Sequence, residues 1–199
     1  MAGYNSEDEQ VEALKRWWNK NGVSTLLAIV VVLAGWFGWQ AWQARQLQAA
    51  EAASIEYQSL LLLVSQIEQQ PSAEAYARAA NMVGMLKEVH EGSIYTAYSA
   101  LLLARLKVEQ GQVNEAIAEL EWVLQAPAAE NLKQLASIRL ARLHYANGEA
   151  DAALALVEQA VNGEFAVLAG ELKGDILLTQ ADMDGARAAY QQALDVAAE

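Results

Sequence analysis

The chain of 199 residues has no cysteine, two prolines, two phenylalanines and two histidines. Without cysteine there is no disulfide, no thiolate-held zinc and no cysteine nucleophile. Bases are scarce: 13 Lys and Arg stand against 25 Asp and Glu, a net charge of −12. From Arg45 to the end the imbalance is ten against 21. A surface this acidic repels phosphate backbones, so no nucleic-acid binding is expected. Catalytic signatures are also missing. No HExxH, GxGxxG, GxSxG or phosphate-loop pattern occurs. Asp182 and Asp184 in "ADMDG" resemble the start of a calcium loop, but the later ligands and the closing Glu are absent. Carboxylates at a helix start, favoured by the helix dipole, explain the motif better. The expectation is therefore no catalytic residue, no cofactor and no metal.

One absence has a fixed address. No ionisable side chain lies between Lys20 and Arg45. Val23 to Trp42 gives about 20 apolar residues, roughly 30 Å of helix, the thickness of a bilayer's hydrocarbon core. A cleaved signal has an apolar run of only about 7–15 residues, and a core helix would show a polar face. Trp17 and Trp18 stand at one end; Trp36, Trp39 and Trp42 stand at the other, as interfacial anchors against the lipid bilayer would. Lys15, Arg16 and Lys20 precede the run, and only Arg45 follows before Arg78. This excess predicts residues 1–21 in the cytoplasm, a transmembrane helix over 22–44, and residues 45–199 outside it, which in a bacterium, with the span in the inner membrane, means the periplasm. Ser6 and Glu9 have capping-box spacing, and Val11, Leu14 and Trp18 share a face. These features suit a short helix on the inner membrane surface, with a loosely ordered tail as the alternative. Ser24, Ala28, Gly35 and Gly38 form a small-residue face that lets another membrane helix approach.

Beyond the apolar run the composition turns to Ala, Leu, Gln and Glu, which lose little side-chain freedom in a helix. A helix is expected from Gln46 to about Gln69, with Ile55, Leu62 and Ile67 among its apolar positions and Pro71 ending it. A second starts near Ser72, and "HEGS" marks a turn. Self-similarity then appears between "ALLLARLKVEQGQVNEAIAELEWVL", "SIRLARLHYANGEADAALALVEQAV" and "GELKGDILLTQADMDGARAAYQQAL". Ala104, Ala116 and Val123 correspond to Ala141, Ala153 and Ala160, and to Gly174, Ala186 and Ala193, at offsets of 37 and 33 residues. Such periods mean stacked helical hairpins. Small residues belong where the two helices of a pair cross, and Gly111, Gly148 and Ala181 mark the turns between them. The fold class is all-α: one N-terminal transmembrane helix, then a solenoid of degenerate helix pairs that resemble tetratricopeptide repeats. By that likeness the first helices line a concave face carrying Tyr98, Leu101, Arg105, Leu135, Ile138, Arg142, Tyr145 and Leu168. These residues either hold a partner segment or pack against the two preceding helices.

In order, "DEQVEALKRWWNKNG", a span ending in "GWQAW", "AASIEYQSLL", "AENLKQLASIRLARL" and "LKGDILLTQADMDGARAAYQQAL" resemble the YfgM family, the ancillary subunit of the bacterial Sec translocon. The resemblance implies partners: the SecYEG channel, a PpiD-type periplasmic chaperone, and nascent exported proteins. It implies a non-catalytic scaffold that helps hand newly translocated proteins to chaperones. Two other functions suit the same architecture. One is a membrane-tethered adaptor for envelope assembly or cell division; the other is a direct holdase for unfolded substrates.

Overall fold

The computed structural model describes the backbone of residues 4–198, and their side chains from Gln10 onward except those of Ala13 and Thr25. Among the described residues eight helices follow in order: α1 Tyr4–Gln69, α2 Ala73–Val89, α3 Ile94–Glu109, α4 Val113–Gln125, α5 Glu130–Ala146, α6 Ala150–Glu158, α7 Ala166–Thr179 and α8 Met183–Ala197. The chain divides into two units, Met1–Gln48 and Ala49–Glu199.

The first unit is helical from Tyr4 onward, so a separate surface helix does not form ahead of the apolar run. The reason is local: among the described residues of this unit there is no proline, and its three glycines, Gly22, Gly35 and Gly38, stand singly and follow the segment that precedes the apolar run. The helix begins before Ser6, and the side chains of Ser6 and Glu9 lie outside the described residues. Trp18 packs its ring over Gly22, 3.3 Å from where a Cβ would stand. The apolar stretch is bare: Val23 is 84% exposed and Val32 69%. The helix that contains it is long and apolar enough to cross a membrane. Trp18 and Trp36 stand 18 residues apart, about 27 Å along a helix. Ser24, Ala28, Gly35 and Gly38 project from one side of it, and nothing stands within 4 Å of a Cβ built on Gly35 or Gly38.

In the second unit each helix from α2 onward packs on the next in sequence. Beyond that, α3 touches α5 and α5 touches α7, whereas no such contact joins α4, α6 and α8 among the described residues. The odd-numbered helices therefore form an inner layer. The main core joins Leu60, Leu63, Val64 and Ile67 at the end of α1 to Val83 of α2, Leu103 and Leu106 of α3, Leu120 and Val123 of α4, and Leu140 of α5. A second cluster unites Ile138, Val157, Leu172 and Ile176. Of the apolar positions read in the first helix, Ile67 is buried, but Ile55 and Leu62 are exposed. The helix turns the 60–64–67 face inward instead, a set spaced i, i+4, i+7.

Helix ends follow their caps. The Ser72 hydroxyl accepts from the Ala75 N–H, Ser93 from Tyr95, and an Asp182 carboxylate oxygen from Gly185. The turns at Gly111 (φ 73°), Gly148 (φ 82°) and Ala181 (φ 62°) enter the left-handed region. Glycine reaches it without strain, and Ala181 holds it against a Cβ penalty. Helix α6 stops at Glu158, earlier than the repeat pattern suggests. Beyond it the chain wraps the Gln134 side chain, whose Oε1 accepts from Glu164 N–H at 3.1 Å. The polar groups that do go inside are satisfied: Thr96 donates to the His90 carbonyl at 2.6 Å, Ser99 to Tyr95 at 2.8 Å, and Ser137 to Leu156 at 3.0 Å. Lys87 ties α2 to α4 through Glu119 at 2.6 Å and lies 4.6 Å from the Trp122 ring centroid.

All nine small crossing residues are buried, Ala116, Ala141, Ala153 and Ala160 completely. The crossing of α7 on α8 leaves no room for a side chain at Gly170. A Cβ on Gly170 would stand 2.9 Å from the Ala193 Cβ and 3.3 Å from the Ala189 carbonyl. Gly170→Val is expected to lower stability by about 1–3 kcal/mol through overpacking. That is a fall in Tm of roughly 2–4 °C per kcal/mol for the purified chain. Gly84→Val meets nothing within 4 Å and should stay within about 0.5 kcal/mol. Equal Tm values for the two variants would refute close packing as the reason for glycine at Gly170.

Candidate partner-binding groove

The end of α1, α3 and α5 form one stretch of the inner layer, and α4 reaches it through Leu120. A cavity of about 250 Å³ is lined by Tyr57, Tyr98, Leu101, Leu102, Arg105, Leu135 and Arg139. A second, of about 310 Å³ and mostly apolar, is lined by Ala104, Arg105, Val108, Leu120, Arg139, Arg142 and Leu143. Arg105 and Arg139 border both, so the cavities adjoin. Helical spacing explains the arrangement. On α3, residues 98, 101 and 105 fall on one face; on α5, residues 135, 139 and 142 do the same.

At one end Tyr57 forms a tilted aromatic group with Tyr95 and Tyr98, at centroid distances of 5.7 and 6.1 Å. Along the groove the arginines differ in their bonding. Arg105 pairs with Glu68 at 2.5 Å and Glu109 at 3.1 Å, with about half of its side chain exposed. Such exposed pairs contribute only about 0–1 kcal/mol each. Arg139 donates from Nη1 to the Leu101 carbonyl at 3.3 Å. Burial, then the nearby charges of Arg142 and Arg105, pull its pKa below the ordinary guanidinium range. Arg142 is exposed.

The eight residues read from the sequence divide into three groups. Tyr98, Arg105, Leu135 and Arg142 come together at the groove, with Leu101 buried in its floor. Ile138 is 1% exposed and belongs to the core, so a partner does not reach it. The neighbouring residue Arg139, one step or about 100° round the helix, takes the groove position instead. Tyr145 and Leu168 lie elsewhere. Leu168 packs on the core of α5, α6 and α7, and the Tyr145 hydroxyl donates to the Asp175 carbonyl at 3.3 Å. The histidines are apart from the groove, His144 facing Glu149 across a turn. Among the described residues no three His, Asp or Glu gather as metal ligands would.

The model of the tetratricopeptide repeat-like domain family matches residues 15–199. An ancillary SecYEG translocon subunit of Escherichia coli (strain K12) is 30% identical over 193 residues, 96% of this chain and 88% of that protein. This chain belongs to the family of tetratricopeptide repeat-like ancillary SecYEG translocon subunits. A second family member of that name, from Haemophilus influenzae (strain ATCC 51907 / DSM 11121 / KW20 / Rd), is 28% identical over 97% of this chain and 91% of its own. Among solved structures MamA is similar at a TM-score of 0.47 and 14% identity, over 68% of this chain and 85% of that one.

In this family member, Tyr57, Leu102, Val108, Arg139 and Leu143 are groove residues that the repeat likeness did not single out. The signal for Arg139 was its i, i+4 spacing from Leu135, and for Leu143 its i, i+4 spacing from Arg139. For Tyr57 there was none, because its helix precedes the recognisable repeats.

Beside Tyr145, the Tyr190 hydroxyl donates to Asp175 Oδ1 at 2.7 Å. That hydrogen bond, then burial and the charge of Asp175, push its pKa up to about 12. A phenol pKa raised by folding contributes stability that is fully present below its unfolded value near 10 and is lost as pH rises towards 12. Spectrophotometric titration of the folded chain should show a phenolate component near pH 12 that Tyr190→Phe removes. If the titration is unchanged in that variant, the Asp175 bond is not the cause.

Proposed function

We propose that this chain is a non-catalytic, membrane-anchored scaffold of the Sec translocon, linking SecYEG to a PpiD-type periplasmic chaperone and aiding hand-over of newly translocated proteins. Residues 22–44 cross the inner membrane, residues 1–21 lie in the cytoplasm and residues 45–199 in the periplasm. The observation that carries the reading is the extent of the family match. Similarity to proteins named as ancillary SecYEG translocon subunits runs through the apolar helix and the helix pairs alike, over 96% of the chain. Physical features support it. The apolar helix has aromatic residues about one hydrocarbon thickness apart. The bases gathered before the span favour that orientation. The exposed face of Ser24, Ala28, Gly35 and Gly38 suits contact with a channel helix.

An anchored scaffold does not need high intrinsic affinity. Confinement beside the channel exit raises the local concentration of emerging chains and of chaperone, which substitutes for contact energy. The groove at Tyr98, Arg105, Arg139 and Arg142 is then the surface that meets one of them.

A photo-crosslinking amino acid placed at Tyr98, which is 37% exposed, tests the reading in intact membranes. Adducts with exported chains or a parvulin-class chaperone are expected. Adducts confined to wall-synthesis or division proteins would transfer the chain to the alternative class of envelope adaptors.

A further inference from the structure

Acids outnumber bases 25 to 13 in the chain, yet three arginines gather on the inner faces of α3 and α5. Their commitments differ. Arg139 is half-buried with a backbone carbonyl as acceptor, and Glu68 and Glu109 flank Arg105. Arg142 is exposed, and among the described residues no acceptor or carboxylate is paired with it. The three guanidiniums thus face two carboxylates, and Arg142 and Arg105 both disfavour the charge on Arg139. The groove is short of negative charge within a protein that has negative charge to spare. Arg105 and Arg139 border two recesses, a mostly apolar one of about 310 Å³ and one of about 250 Å³ walled by Tyr57, Tyr98 and leucines as well. Each is at or below the small end of ligand pockets, a size for single side chains rather than whole ligands.

We infer that this groove receives an extended protein segment in which Asp or Glu is flanked by apolar side chains. The segment's carboxylate meets Arg142 and the neighbouring edge of Arg139, and the flanking side chains enter the two recesses. A guanidinium takes a carboxylate through two parallel N–H donors, so recognition is directional as well as electrostatic. The exposed pairs on Arg105 exchange at little cost, which lets that residue turn to the ligand as well. Lysine-rich and wholly apolar segments are disfavoured, the first by repulsion and the second by leaving guanidiniums desolvated without a partner. The acidic remainder of the chain argues against nucleic acid and anionic lipid as the occupant. The inference rests on the scaffold reading for its setting and adds the chemistry of the partner.

The test uses the full chain in lipid nanodiscs and two fluorescent peptides, Leu-Asp-Glu-Phe and Leu-Asn-Gln-Phe within the same Gly-Ser flanks. By polarisation the acidic peptide should bind roughly tenfold tighter, the scale of a charge-assisted contact. Arg142→Glu should remove that preference. Arg187→Glu, at a residue exposed on α8, should keep it. Equal binding, no binding, or a preference that survives Arg142→Glu would each overturn the inference. So would displacement of the acidic peptide by a second copy of the chain or by anionic phospholipid vesicles, which would identify a different occupant. Co-isolation of the translocon with each variant separates the two readings. If Arg142→Glu keeps the translocon and the wild type ignores the peptide, only the groove chemistry fails. If the wild type prefers the acidic peptide but never retains the translocon, the scaffold reading fails instead.

Discussion

The structure of the repeat unit depends on how closely its paired helices cross. Ala104 with Ala116, Ala141 with Ala153, and Gly170 and Gly174 against α8 keep side-chain volume out of the crossings. Close approach there sets the rotation of each helix about its axis, because packed interiors do not deform smoothly to admit extra volume. The rotation decides which residues point inward to the core and which to the groove. In α5 it sends Ile138 to the core and Arg139 and Arg142 outward. A larger residue at a crossing would do more than cost energy. It would re-aim the arginine-bearing faces that the functional reading needs.

Charge follows the same geometry. A chain with net charge −12 has few cations to place. Lys87 is used between α2 and α4, Lys107 pairs with Glu115, and Lys173 with Glu158. Arg139 and Arg142 share a face of α5 at i, i+3 spacing, and the packing of α3 on α5 brings Arg105 beside them. Mutual repulsion there is tolerated because water reaches Arg105 and Arg142, and Glu68 and Glu109 offset part of it. The lysines thus join neighbouring helices or flank turns, and the arginines border the groove.

Much of this was legible in the sequence. The apolar run, the helix pairs, the small crossing residues and the left-handed turns at Gly111, Gly148 and Ala181 all left local signals of spacing or residue type. Part of the groove was legible too, since Tyr98, Arg105, Leu135 and Arg142 follow helical periodicity. The choice of Ile138 over Arg139 failed because periodicity fixes a face only to within about one residue, or 100°. Packing supplied the rest. Tyr57 was hidden because its role arises from the approach of α3 to the end of α1, a long-range contact with no repeat signature. The continuity of α1 through the N-terminal segment was missed for the opposite reason. Marginal short helices rarely persist alone, but joined to a long apolar helix the segment adds turns without a new nucleation cost.

On the proposed reading the apolar helix and the helix pairs act together as an anchored partner of the translocon. The most direct measurement is affinity isolation of the full chain from membranes opened with mild detergent, with quantitative mass spectrometry of what accompanies it. The account predicts that SecYEG subunits are enriched far above inner-membrane proteins of equal abundance, and that replacing residues 22–44 by an unrelated span of equal length reduces them. Isolates without the translocon, or dominated by wall-synthesis proteins, would contradict it.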